Sequence, residues 1–266
     1  MKSLANSWLV CIYTLLETTI AVEREKPTPE EFAQKWRISG HQGRNEHGLT
    51  LLHIAALTGN DPIVRGLLEG RRQGEPWLVD KMGLTPFQHG MYGSVATTNL
   101  FLETGDIGKE QIDGYNTWGA ASIHISSEYG RTEMLRLMLA NDAEVDLPKR
   151  QGSPYAGRTS LHCAALRSQF ECCEILIRHG ASVHARDAHG ATVLHMAALE
   201  PLCLVGNQDP NVKMTTMRML LEAKADPPIR NDAGHTAAEL LALASGHSAS
   251  ELWLALCTHD PLIHIN

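Results

Sequence analysis

One short motif recurs along the chain and narrows the folds open to it. A glycine is followed two residues later by threonine or its replacement, and three residues after that by histidine or its replacement. It occurs as Gly48-Leu49-Thr50-Leu51-Leu52-His53, Gly83-Leu84-Thr85-Pro86-Phe87-Gln88 and Gly119-Ala120-Ala121-Ser122-Ile123-His124. It returns as Gly157-Arg158-Thr159-Ser160-Leu161-His162, Gly190-Ala191-Thr192-Val193-Leu194-His195 and Gly234-His235-Thr236-Ala237-Ala238-Glu239. Successive glycines lie 35, 36, 38, 33 and 44 residues apart. A period of this size marks a chain built from small units of one design.

Each motif position has a local physical role. Glycine permits the positive φ of a tight turn. Threonine is a helix N-cap, its hydroxyl accepting an otherwise unpaired backbone N–H. The residue three further on reaches back to the cap, as a capping box requires. Pro86 occupies the first helical position, where its missing N–H is harmless. Such a cap contributes about 1 kcal/mol. Ala121 lacks the hydroxyl, so the third unit starts less firmly unless Ser122 substitutes.

A short helix with small residues follows each cap, as at Ala55-Ala56, Ala164-Ala165 and Ala197-Ala198. A second, more apolar helix comes next, carrying Ile63, Val64, Leu67 and Leu68, then Met134, Leu135, Leu137 and Met138, then Cys172, Cys173, Ile175 and Leu176. These helices end at Gly70, Asp142-Ala143 and Gly180-Ala181, with a left-handed C-cap at Gly180. A pair this small does not bury its own apolar face, so the pairs must stack.

The pattern resembles the ankyrin repeat over about residues 41–257, most closely from Gly157 to Ala185 and again from Asp187 to Ala198. The resemblance implies an all-α ankyrin-repeat solenoid of about six helix–turn–helix repeats, with short β-turn fingers and N-terminal capping helices. Residues 1–40 form the N-terminal helical segment and capping helix, 41–257 the ankyrin-repeat domain, and 258–266 a C-terminal tail. Thr28-Pro29-Glu30-Glu31, with Phe32 and Trp36, marks the capping helix. Repeat six, with Asn231-Asp232-Ala233-Gly234 and a second helix through Trp253, caps the other end. Repeats two and three are irregular, and Gln88 stands where histidine is usual. The last step, 44 residues, implies an insertion at 201–212 between the two helices of repeat five.

Composition excludes several function classes. The net charge is −7 with pI near 6.0, against a global nucleic-acid footprint. Aromatics make up only 5%, low for a platform that stacks single-stranded bases. No apolar run reaches the roughly 18 residues of a membrane span. Cys11, Cys163, Cys172, Cys173, Cys203 and Cys257 show no CxxC spacing and read as reduced core residues of an intracellular protein. Lys2, the apolar residues 8–16 and Thr19-Ile20-Ala21 loosely imitate a secretory signal. Leu4, Trp8, Cys11, Ile12, Leu15 and Leu16 fall at helical spacing, and Glu17 interrupts the apolar stretch, which favours an amphipathic helix on the first repeat.

His53, His124, His162 and His195 occupy equivalent places, and in the family this histidine is similar to a structural hydrogen-bonding residue. Cys172, Cys173 and His179 fall short of zinc's four converging ligands, since consecutive helical residues point about 100° apart. Gly-x-Ser-x-Gly, a phosphate loop with Gly-Lys-Ser/Thr and His-Glu-x-x-His are all missing from the sequence. Repeats fill nearly the whole chain, leaving no second domain for an active site. The chain is therefore expected to be no enzyme and to hold no cofactor or metal.

Ankyrin-like proteins bind through turn tips and the exposed face of the first helix of each pair. The resemblance thus points to Glu46 and His47 in repeat one, Lys81 in repeat two, and Trp118 and Tyr129 in repeat three. Repeat four supplies Tyr155, Arg158 and Arg167, and its boundary with repeat five Arg186 and His189. Trp, Tyr and Arg are enriched at binding hot spots. The expected function is a monomeric adaptor, scaffold or inhibitor of the cytoplasm or nucleus that grips another protein. A secreted effector using the same surface, or an enzyme with an unrecognised site, are the other readings. Lys149, Arg150, Arg158, Arg167, Arg178 and Arg186 outweigh Glu171 and Glu174 locally. They suggest a partner with an acidic or phosphorylated patch over repeats three to five, although a solvated charged face reads the same way. The 201–212 insertion is a second candidate surface. Replacing Trp118, Tyr155 and Arg158 together is expected to abolish binding without lowering stability.

Overall fold

The computed structural model describes residues 43–70, 76–105, 107–199 and 210–245. The expected capping helix, the signal-like segment, most of the 201–212 insertion and the helix through Trp253 lie outside the described residues. The chain forms two compact units, one ending at Ile107 and one beginning at Gly108. Among the described residues the only sheet-like pairing is an isolated bridge between Arg186 and Thr192.

The first unit holds two helix pairs. They are α1 (Leu51–Leu57) with α2 (Asp61–Glu69), and α3 (Pro86–Gly90) with α4 (Val95–Glu103). α1 packs on α3 and α2 on α4, so like stacks on like. The second unit opens with a one-turn helix, α5 (Lys109–Ile112). Its pairs are α6 (Ser122–Glu128) with α7 (Thr132–Ala140), α8 (Ser160–Leu166) with α9 (Phe170–Arg178), and α10 (Val193–Ala198) with α11 (Pro210–Glu222). α12 (Ala237–Ser245) follows. Inner helices α6, α8, α10 and α12 stack in one row, and outer helices α7, α9 and α11 in another. In each unit, every pair buries its apolar face against the next.

The inner helices α8 and α10 are buried nearly all round because each lies between its own outer helix and two neighbouring inner helices. All seven residues of α1 are buried. Small residues make this possible, with Ala55, Ala56, Ala164, Ala165 and Ala198 fully buried. In α6 the corresponding places hold Ser126 and Ser127, whose hydroxyls donate back to the carbonyls of Ser122 and Ile123 at 3.1 and 2.7 Å. Outer helices bury one face, for instance Cys172, Cys173, Ile175 and Leu176 of α9. Burial, aided by Glu171, pushes the Cys172 thiol up to about 12, so it behaves as a small apolar side chain.

The histidines tie one repeat to the next. The backbone N–H of Thr50, Ala121, Thr159 and Thr192 donates to Nδ1 of His53, His124, His162 and His195, each at 3.1 Å. A backbone N–H only donates, so Nδ1 is unprotonated and Nε2 carries the ring hydrogen. Nε2 of His53, His162 and His195 donates to the carbonyls of Leu84, Ala191 and His235 in the following repeat, at 3.2, 3.3 and 2.9 Å. Nε2 of His124 has no hydrogen-bond partner.

The threonines depart partly from expectation. Those of repeats one, two and six accept the backbone N–H of His53, Gln88 and Glu239 at 3.4, 3.2 and 3.3 Å. The hydroxyls of Thr159 and Thr192 instead bond Nδ1 of His162 and His195, at 2.9 and 2.8 Å. Ser122 does not replace the cap missing at Ala121, because its buried hydroxyl has no partner. Gln88 keeps the histidine's inner bond, accepting the Thr85 N–H at 3.2 Å.

Outer helices α7, α9 and α11 leave through a left-handed residue: Asp142 at φ 60, Gly180 at φ 88 and Lys224 at φ 71. Only Gly180 meets this conformation without strain. One irregular feature escaped the periodicity. α5 adds a helical turn before repeat three, capped by Gln111, whose Oε1 accepts the Gly108 N–H at 2.9 Å.

Two measurements test this architecture. Gly157 lies at φ 78, and a Cβ there would meet the Ala188 nitrogen at 2.8 Å, whereas one on Gly180 would meet nothing within 4 Å. Both alanine replacements suffer left-handed strain of about 1–2 kcal/mol. In urea unfolding, Gly157→Ala should lose clearly more stability than Gly180→Ala, and equal losses would show that the finger contact is slack.

The second test is acid. His53 and His124 are held down at about 3 and His162 at about 4, burial being the largest cause in each. An unfolded histidine titrates near about 6.5. The folded chain binds fewer protons, so stability is full above that pH and falls as acid brings it toward the folded values. His162→Gln should shed roughly 1.4 kcal/mol per pH unit from the slope of stability between about pH 4.5 and 6. An unchanged slope would mean that His162 is not held neutral.

Candidate protein-binding edge

The fingers between repeats share one construction. An Asn or Asp at the base folds its side chain over the turn and accepts two backbone N–H groups. Asp187 Oδ1 takes those of His189 and Ala191, at 2.9 and 3.0 Å. Asn45, Asp80, Asn116 and Asn231 do the same in their own fingers. Asp80 also accepts His89 Nε2 at 2.9 Å. Burial raises the Asp80 carboxyl, and these hydrogen bonds outweigh it, leaving the group below the usual carboxylate range.

Backbone bonds then link finger to finger. In the first unit the Lys81 N–H donates to the His47 carbonyl at 3.2 Å. In the second, Arg150 donates to Gly119, Ala188 to Ala156 and Asp232 to His189, each at 3.0 Å. The turns therefore line up along one edge within each unit, and side chains at their tips face solvent.

The fourth finger breaks the design. Its base residue is Lys149, which has no oxygen to fold over the turn. Lys149 N–H donates to the Arg158 carbonyl, nine residues on, at 2.8 Å, where Asp187 pairs with Ala191, four residues on, at 2.9 Å. The extra length leaves Gln151, Gly152, Pro154 and Tyr155 exposed. Lys149 turns inward, its Nζ 3.6 Å from Glu128 Oε2. Glu128 also takes Arg167 Nη2 at 3.0 Å. Burial opposes the Glu128 carboxylate, and Lys149 and Arg167 more than reverse it, holding the group below its ordinary range. Above this cluster the Tyr155 ring, 44% exposed, is flanked by Lys149 Nζ at 5.2 Å and Arg158 Cζ at 5.1 Å. Such contacts hold an aromatic ring in place while leaving its edge accessible.

The structure distributes the expected contact residues unevenly. Glu46, His47 and Lys81 are exposed on the two fingers of the first unit. Trp118, Tyr155, Arg158, Arg186 and His189 lie along the finger edge of the second, with Trp118 half-buried and His189 exposed. Tyr129 and Arg167 sit at the C-terminal ends of α6 and α8. The guanidiniums are less available than their sequence positions imply. Arg158 Nε pairs with the buried Asp187 carboxylate at 3.3 Å, and Arg167 with Glu128. Arg178 pairs with Glu174 at 2.6 Å, and Lys149 is buried. Arg186 donates to the carbonyls of Gly190 and Arg230 at 3.0 and 3.1 Å. Of the six cations of this segment, only Arg150 and Arg186 form no ion pair among the described residues.

Sequence reasoning overlooked Trp77 and Val79, 56% and 46% exposed just before the second finger. An apolar Trp-Leu-Val run in a turn position was the available signal. It also overlooked Lys149 as the replacement of a finger Asp, which alignment of the six finger bases reveals. The three described cysteines, Cys163, Cys172 and Cys173, are buried free thiols. No group of His, Cys, Asp and Glu able to hold a metal occurs among the described residues. No helix among them is long and apolar enough to cross a membrane.

A stack of helix pairs with a bonded row of turns defines, within each unit, a repeat solenoid. Comparison with known proteins gives the family. Ankyrin repeats (3 copies) match residues 91–187 and 123–214, and a single ankyrin repeat matches 47–80. The chain belongs to the ankyrin-repeat proteins. It is 24% identical over 183 residues to the mouse B-cell lymphoma 3 protein homolog, covering 68% of this chain and 37% of that one. It is 26% identical to human SH3 and multiple ankyrin repeat domains protein 2, covering 79% of this chain and 11% of the relative. Human protein phosphatase 1 regulatory subunit 27 is 34% identical across 32% of this chain and 49% of its own. The chain thus spans well under two thirds of these relatives. The crystal structure of the Bcl-3 ankyrin repeat domain superposes with a TM-score of 0.61 at 21% identity, covering 85% of this chain and 90% of that one. The human ASB11 ankyrin repeat domain gives 0.66 at 23%, covering 86% and 97%.

The Arg158–Asp187 pair changes what a contact-residue variant should do. Arg158→Ala leaves a buried carboxylate without its cation and should cost about 2 kcal/mol in chemical unfolding. Tyr155→Ala removes an exposed ring and should stay within about 0.5 kcal/mol of wild type. The triple replacement with Trp118 therefore tests stability as well as binding. Equal stability of Arg158→Ala and wild type would place Arg158 among the freely exposed contacts instead.

Proposed function

We propose that the chain is a protein-binding module, an adaptor, scaffold or inhibitor, whose partner lies along the finger edge of the second unit. The observation that carries this reading is Tyr155. It stands exposed at the tip of the longest described finger, with Lys149 Nζ 5.2 Å and Arg158 Cζ 5.1 Å from its ring centroid. A rigid aromatic anchor loses little entropy on binding and is a typical hot spot. Trp118 on the preceding finger and His189 on the following one extend the surface. Ankyrin repeats are generally non-catalytic binding modules, which supports a recognition role over chemistry at this edge.

The partner surface is acidic or phosphorylated. Support comes from Arg150 and Arg186, whose charges have no carboxylate within ion-pair distance among the described residues, whereas Lys149, Arg158, Arg167 and Arg178 are already paired. Three buried free thiols favour a reducing compartment, the cytoplasm or nucleus, as the place of action.

A photo-crosslinking amino acid at position 155 should capture the partner in cells, and calorimetry should then measure its affinity for purified chain. Trp118→Ala with Tyr155→Ala should weaken binding about thirtyfold, as the loss of one hot spot of about 2 kcal/mol implies. The thermal midpoint should be nearly unchanged. Affinity within about twofold of wild type would place the partner on another surface.

A further inference from the structure

The fourth finger carries a hydroxyl that no bond between repeats employs, its one hydrogen bond being local, from the Tyr155 N–H. We propose that Ser153 is a phosphorylation site for a proline-directed serine/threonine kinase, and that the phosphate cancels the positive charge Arg150 presents there. The consequence for partner binding rests on the protein-binding reading. The modification does not.

Access comes from the finger's construction. Ser153 is half-buried, and its neighbours Gln151, Gly152, Pro154 and Tyr155 are exposed. Its Oγ makes one recorded bond, accepting the Tyr155 N–H at 3.3 Å. Three backbone turn bonds hold the tip: Ser153 N–H to the Arg150 carbonyl at 3.3 Å, Ala156 N–H to the Ser153 carbonyl at 3.2 Å and Arg158 N–H to the Tyr155 carbonyl at 3.2 Å. All three are near the long limit of the hydrogen-bond range, and the first two bracket the exposed residues Gln151, Gly152, Pro154 and Tyr155, which favours local opening. The bonds that knit this finger to its neighbours are at its base, through Arg150 N–H and the Ala156 carbonyl. Opening the tip bonds frees Ser153 and Pro154 for a kinase cleft while the bonds at the base, and with them the edge, stay intact. In regular fingers such as 187–191, the base bond encloses too few residues to do this.

Residue chemistry around Ser153 selects the enzyme class. Pro154 disfavours helical geometry at Ser153 and leaves no N–H at the following position, the feature a proline-directed kinase reads. Arg150, three residues before Ser153, is exposed and forms no ion pair among the described residues. A Cβ placed on Gly119 would lie 2.9 Å from Arg150 Cβ and 3.1 Å from Ser153 Cβ, so both side chains start beside the same point of the preceding finger. In the reaction, Ser153 Oγ takes the γ-phosphoryl group of ATP. The bond to the β-phosphate oxygen breaks, ADP leaves, and the hydroxyl proton passes to the kinase's carboxylate. The product adds about −1.5 to −2 of charge beside Arg150, where a guanidinium can hold it by charge-assisted hydrogen bonds. An acidic partner would then meet a phosphate where it had met a free cation.

The test incubates the full chain with a purified proline-directed kinase and Mg-ATP, reads it by tandem mass spectrometry, and uses a synthetic 147–160 peptide as control. Expected is one phosphate on Ser153 of the folded chain, none at that site in Ser153→Ala, and labelling about tenfold slower in Pro154→Ala. Labelling of the peptide but not of the folded chain would overturn the proposal, because the finger would then be closed. No label at Ser153 in either would overturn it as well. In the phosphorylated chain, a phosphorus NMR titration should give a phosphate midpoint that rises when Arg150→Gln is introduced. An unmoved midpoint would refute the pairing with Arg150. Partner binding is not read in any arm, so failure here leaves the protein-binding reading standing, and failure of that reading leaves this site standing.

Discussion

His53, His162 and His195 each divide the imidazole between two repeats, and the order of the stack depends on that division. Nδ1 accepts the backbone N–H of the helix cap in its own repeat, which forces the proton onto Nε2. Nε2 then reaches the carbonyl just past the glycine of the next finger. The bond fixes both the start of an inner helix and the position of the following turn. Apolar burial supplies the larger driving force, since no helix pair hides its own face. Burial is non-directional, however, and would tolerate neighbouring pairs slipping past one another. The imidazole bond is directional and sets the register. Nε2 of His124 has no hydrogen-bond partner, so the third repeat goes without this outer bond.

A scaffold held by backbone and buried side chains leaves the turn tips free to vary. In the regular fingers one Asn or Asp oxygen meets the turn's needs, and the neighbouring finger's carbonyl meets the next. None of these bonds constrains the side chain at the tip. The fourth finger shows what happens when that economy is abandoned. Without an oxygen at its base it lengthens, and its Lys149 becomes a strut beneath Tyr155. Burying an ammonium is costly unless it is paired. Glu128 meets that need, and so Glu128 and Arg167 of the inner-helix layer are drawn into supporting a surface residue.

Much of the fold was legible because its signals are local and repeated. The glycine turns, the caps at Thr50 and Thr85, the paired alanines and the apolar outer helices each follow from a few adjacent residues. The second bond of each histidine was not legible, since its acceptor lies in another repeat, 29 residues on for His162 and 40 for His195. α5 was missed because four residues show no periodicity. The candidate edge was legible by position but not by availability. Sequence shows Arg158 and Arg167 as surface cations, but their partners Asp187 and Glu128 lie 29 and 39 residues away. Charge counted along a segment ignores these long-range pairs, and so it overstated how basic the edge is.

Pairing of this kind also separates two roles that residue type alone confuses. Arg158 and Tyr155 are three residues apart and both belong to hot-spot types. Arg158 has one face on the Tyr155 ring and its Nε on Asp187, the carboxylate that folds the fifth finger. Its loss would disturb two fingers before any partner arrived. Tyr155 is the terminus of that chain of contacts, held by Arg158 and Lys149 while its own edge meets solvent. A residue that is positioned by others, and on which no recorded bond of the stack depends, can change identity without unfolding anything. On this edge Tyr155 fits that description and Arg158 does not, so under the proposed protein-binding reading specificity would reside in the tip and its rigidity in the cations beside it.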